Sequence, residues 1–87
     1  MEIIVGDIIF ENQKTKDMVD EIIEKEGQFS CLDDWVLGDE TIEDVEITVE
    51  KDDDYYVVTF ISKEGEELYL IDDYSPLHIY EYDVKCS

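Results

Sequence analysis

Eighty-seven residues hold one domain with a single modest core, and an apolar content of 44% is enough to fold it, which excludes a disordered acidic tail. Six lysines stand against 26 aspartates and glutamates with no arginine, a formal charge of −20. Such a surface repels phosphates, so direct nucleic-acid binding is not expected, and enzyme chemistry has little inventory: one histidine, no arginine and no Gly-rich phosphate loop.

The N-terminus carries no signal-peptide pattern. Met1-Glu2 lacks a basic n-region and Asp7 interrupts the apolar run. No segment reaches membrane-span length, so a cytoplasmic protein with no membrane contact is expected, with Cys31 and Cys86 as reduced thiols. Ile3-Ile4-Val5 and Ile8-Ile9-Phe10 flank Gly6-Asp7. One strand with a bulge at Gly6 is preferred over a very tight hairpin.

Thr15 suits a helix N-cap, with Asp17 in the first turn and Gly27 as the stop. Met18, Val19, Ile22 and Ile23 fall on one side. Asp17, Asp20, Glu21 and Glu24 gather on the other as an acidic stripe, for which a solvated face is the plain reading. Gln28–Leu37 reads as an irregular strand or a helical turn that packs Trp35 into the core. Residues 38–41 read as a loop.

Val45, Ile47 and Val49 alternate with Glu46, Thr48 and Glu50, which gives one apolar and one wet strand face. Lys51–Asp54 is a turn, and Tyr55–Ile61, apolar on both faces, is the expected central strand. Ser62–Glu66 turns at Gly65, Glu67–Ile71 is a strand, Asp72–Pro76 ends it, and Leu77–Val84 alternates as a last strand. The expected fold is α+β: an antiparallel four- to five-stranded sheet with one helix packed on one face, in the order β-α-β-β-β-β.

No metal or cofactor is expected. Two cysteines and the distant His78 do not make a zinc site, and Asp52-Asp53-Asp54 and Asp72-Asp73 lack the spacing of a calcium loop. Paired carboxylates serve glycosidases, but a chain this short leaves no room for a sugar cleft. Solubility and a salt-rich habitat are the plain readings of the charge; the sharper one is a partner with a basic surface.

In a meander, the turns at 51–54 and 72–76 share one end, which would crowd Asp52, Asp53, Asp54, Asp72 and Asp73. Carboxylates two residues apart on a strand lie roughly 6.6 Å apart, the scale of neighbouring phosphates on a nucleic acid. The tyrosines add flat faces suited to Arg and Lys partners. The expected partner-binding set is Glu46, Glu50, Asp52, Asp53, Asp54, Tyr55, Glu64, Glu66, Glu67, Asp72, Asp73 and Tyr74.

In size, α+β build and charge the chain resembles the small acidic phage-encoded inhibitors that mimic DNA, including anti-CRISPR and anti-restriction proteins. The resemblance carries no motif and therefore no functional residue. It implies a non-enzymatic inhibitor, a monomer or small homo-oligomer, that plugs the nucleic-acid channel of a basic CRISPR or restriction nuclease in the host cytoplasm. An immunity protein that neutralises a basic nuclease toxin is the alternative, and an acidic regulatory or structural module is the third reading.

Overall fold

The computed structural model describes residues 1–37, 39–68 and 77–85. Its first feature departs from the single bulged strand expected of residues 3–10. Gly6 takes φ +60° and turns the chain back on itself, so β1 (Ile3–Val5) and β2 (Ile8–Phe10) pair antiparallel with Val5 opposite Ile8. Positive φ at the first of two loop residues matches the twist that tight hairpins need, and glycine supplies it without steric cost.

Helix α1 (Gln13–Glu26) also begins earlier than expected. Asn12, not Thr15, is the N-cap: its side chain accepts from the Thr15 amide at 2.9 Å and from the Thr15 hydroxyl at 3.1 Å. Thr15 is fully buried, and no acid falls in the first turn, so Asp17 does not serve the helix dipole there. Gly27 does end the helix, at φ +86°, with its amide bonded to the Ile23 carbonyl.

The main sheet is antiparallel, in the order β3-β4-β5-β6: β3 (Phe29–Leu37), β4 (Glu40–Asp52), β5 (Tyr55–Ile61) and β6 (Glu67–Leu68). The irregular-strand reading of 28–37 is the one realised, and Trp35 packs on Phe60 with ring centroids 4.5 Å apart. Glu40 and Thr41 belong to a 13-residue strand and not to a loop. That strand is irregular where Glu43 and Asp44 face the single residue Asp34. Asp44 takes φ +57° and its amide is held by the Asp34 carboxylate at 3.2 Å.

The chain then leaves the meander. β7 (Leu77–Ile79) joins the hairpin instead, pairing parallel with β2 to make a three-stranded sheet β1-β2-β7. The expected strand to Val84 stops there, and α2 (Glu81–Lys85) follows. Continued alternation would place Glu81 and Asp83 on the buried face of Leu77 and Ile79. The helix leaves Glu81 half-exposed and still buries Asp83, but gives its carboxylate a backbone partner. The Tyr80 amide donates to Asp83 Oδ2 at 2.8 Å, and the Asp83 amide returns to the Tyr80 carbonyl at 3.0 Å.

One hydrophobic cluster joins both sheets and both helices. Ile8 and Phe10 of β2, Val19 of α1, Phe29 of β3, and Val45, Ile47 and Val49 of β4 are all but inaccessible. A buried side chain of this kind is worth about 2–3 kcal/mol relative to exposure. The alternation read from residues 45–50 is therefore realised, with α1 packed on the apolar face.

Candidate functional site

Register assigns every strand residue to a face, because cross-strand partners point the same way. Val45, Ile47 and Val49 face the core, so their alternates face outward. Ser30, Thr48 and Thr59 form one outward row, and the Ser30 and Thr48 hydroxyls lie 3.4 Å apart. Leu32, Glu46, Ile61 and Glu67 form the next. Glu50 stands opposite Val57, and Asp52 opposite Tyr55.

Five of the expected partner-binding residues, Glu46, Glu50, Asp52, Tyr55 and Glu67, thus share one open sheet face and are exposed. Glu50 and Asp52 are two residues apart, roughly 6.6 Å along the strand, while Glu46 to Glu50 spans about 13 Å. Glu46 and Glu67 flank Ile61 about 10 Å apart across the sheet. The Tyr55 hydroxyl donates to Asp52 Oδ2 at 2.9 Å; that bond, more than the carboxylate's charge, raises the phenol above its ordinary value.

Asp53 and Asp54 form the β4–β5 turn, where Asp53 takes φ +55°. Glu64 and Glu66 lie on the β5–β6 turn, at the far end of β5, a separation of roughly 20 Å. In that turn Gly65 takes φ +85° and donates to the Ser62 carbonyl. Asp72, Asp73 and Tyr74, and with them the crowding of two acidic turns at one end, lie outside the described residues.

The lysines explain why this face stays negative. Lys16 pairs with Asp20 at 2.7 Å, Lys25 with Glu21 at 3.2 Å, and Lys14 and Lys85 with Glu81 at 2.6 and 3.4 Å. Lys51 lies 3.9 Å from Asp20 on the core side of the sheet. In every pair the acid belongs to α1 or α2, and Lys63 sits on the β5–β6 turn. Among the described residues no lysine lies on the outer sheet face.

The acidic helix stripe is divided accordingly. Asp17, Glu21 and Glu24 are exposed, whereas Asp20 is half-buried against the sheet. Tyr56 donates to Asp20 at 2.5 Å. Burial pushes the Asp20 carboxyl up, but the bonds from Lys16 and Tyr56 and the nearby Lys16 and Lys51 charges outweigh it and hold the group below its usual range. Burial, with the Asp20 bond behind it, pushes the Tyr56 phenol up to about 12.

Val57 and Ile61 stand among the acids of the outer face, as a strand apolar on both faces requires; sequence reasoning missed Leu32 beside them, 67% exposed. It also missed a cleft of about 720 Å³ at the β3 edge, where Tyr82 and Asp83 of α2 meet Leu32, Asp33 and Glu46. Cys31 borders it as a free thiol, pushed up to about 12 by burial first and then by the Asp83 and Asp33 charges. No helix among the described residues is long and apolar enough to cross a membrane. No family model matches the chain, and neither a curated protein nor a solved structure matches it.

Proposed function

We propose that this protein is a stoichiometric, non-enzymatic inhibitor that mimics nucleic acid and occupies the DNA- or RNA-binding surface of a host defence nuclease. In this reading it is a phage-encoded, anti-CRISPR-like or anti-restriction protein acting in the host cytoplasm. One observation carries the reading: the acids of the outer sheet face stand on hydrogen-bonded strands with no lysine among them, while five of the six lysines pair with acids of the helices and Lys63 sits on the β5–β6 turn. Fixed carboxylates at strand spacing offer a basic groove what a phosphate backbone offers it. Leu32, Val57 and Tyr55 add the contact area that charge alone lacks.

The test begins with capture of partners from host lysate and ends with cleavage assays on the captured nuclease. The expected result is stoichiometric block of cleavage, relieved by excess duplex and weakened by salt. Glu46→Lys with Glu50→Lys should abolish it, while Asp17→Lys with Glu24→Lys on the helix should not. Inhibition lost only in the helix variant would place the contact on the other side of the molecule. Partners without a nucleic-acid-binding surface would overturn the reading, and capture of a nuclease toxin would replace it with an immunity protein.

A further inference from the structure

The cleft at the β3 edge gathers an aromatic ring and carboxylates in a hollow, where the open sheet face spreads them on a surface. It is lined by Tyr82 and Asp83 of α2, by Asp33 on the core side of β3 and, from the outer face of the sheet, by Glu46 of β4. Tyr82 is 61% exposed yet held in orientation. It stacks on Tyr80 at 5.5 Å with 6° between the planes, and Tyr80 stacks on His78 at 6.1 Å and 14°. Asp83 is only 6% exposed. Burial first, and then the charges of Asp33 and Glu11, push its carboxyl above the usual range, opposed by the Tyr80 amide bond. A cation in the cleft would relieve that cost.

We propose that this cleft receives an arginine side chain of the basic partner, its guanidinium stacked on Tyr82 and paired with the carboxylate of Asp33, beside Asp83. The proposal rests on the reading of a basic partner given above and names the group by which that partner is gripped. Arginine fits better than lysine because its planar fork stacks on an aromatic ring and pairs through two N–H groups with one carboxylate, whereas an ammonium is a compact, strongly hydrated point charge. A metal ion fits less well: among the described residues no group of three ligating side chains is placed to hold one. Glu46 belongs both to the cleft and to the outer face, so one partner reaches both without a break.

The test uses the isolated protein, labelled with ¹⁵N and titrated with N-acetyl-arginine methylamide and its lysine counterpart at constant ionic strength. The arginine compound should give saturable shifts at residues 30–33 and 82–83, with clearly weaker binding of the lysine compound. Tyr82→Ala should weaken the arginine site about fivefold, and Tyr82→Phe should preserve it. Equal response to both compounds, shifts spread over the whole acidic surface, or an unchanged titration in Tyr82→Ala would each overturn the proposal. The titration needs no nuclease. A cleft that binds arginine in a protein that inhibits nothing sinks only the inhibitor reading. Inhibition untouched by Tyr82→Ala sinks only the cleft.

Discussion

Asp20 shows how much one residue's surroundings change its role. By helical periodicity it belongs with Asp17, Glu21 and Glu24 on a solvated stripe. In the fold it is where the helix is tied to the sheet, through Tyr56 at 2.5 Å and Lys51 at 3.9 Å, while Lys16 pairs with it along the helix at 2.7 Å. Its pKa lies below the unfolded value, so its contribution is complete at neutral pH and is lost as pH falls through the folded value. Asp20→Asn should therefore cost about 1 kcal/mol at pH 7, a figure kept small by partial solvent screening, and much less near pH 3. Urea unfolding at the two pH values measures it; equal losses would mean that shape and not charge is what matters there.

Asp83 carries the opposite sign. Burial and the Asp33 and Glu11 charges raise its folded pKa above the unfolded one. Its proton therefore favours folding in acid, and that support disappears as pH rises through the folded value. Asp83→Asn keeps an acceptor for the Tyr80 amide and removes the charge. Its melting temperature relative to the parent should be higher at pH 7 than at pH 4, and calorimetry that found the difference independent of pH would contradict this origin.

Among the elements, α2 and the β1–β2 hairpin are the two places where local pattern and final structure part. Residues 77–84 alternate as a strand does, yet only Leu77–Ile79 extends. The helix begins where alternation would have buried two acids, and it is anchored by the Glu11 carboxylate, which accepts from the Glu81 amide at 2.8 Å. That partner is 70 residues away in sequence, so no local pattern announces it. A hairpin with a loop of only two residues looks too tight from local pattern; Gly6 at φ +60° makes it feasible. The irregularity in β4 was legible after all. Inward positions run 42, 45, 47, 49, and the one step of three among steps of two marks the extra residue at Asp44.

Across the whole molecule the charge is not uniform, and two consequences follow. Self-repulsion among acids without a lysine partner weakens as ions screen it, so thermal stability should rise between low and moderate NaCl. A scan that stayed flat would mean that the acids are individually compensated. The protein should also fail to retain labelled DNA on a filter at low salt, since phosphates meet a net charge of −20. Retention there would overturn the view that it stands in for a nucleic acid.

The sequence by itself determined the α+β class, the amphipathic helix ended by Gly27, the inward face of Val45, Ile47 and Val49, and the sign of the surface. These follow from periodicity, turn chemistry and composition, which are local or additive. Tertiary structure decided that β7 would pair parallel with β2, that Asp20 would tie the helix to the sheet, and that Tyr82 would meet Asp33 and Glu46 across the β3 edge. Each of these depends on which apolar faces bury one another. Residues far apart in the chain settle that together, and no window of neighbouring residues contains the answer.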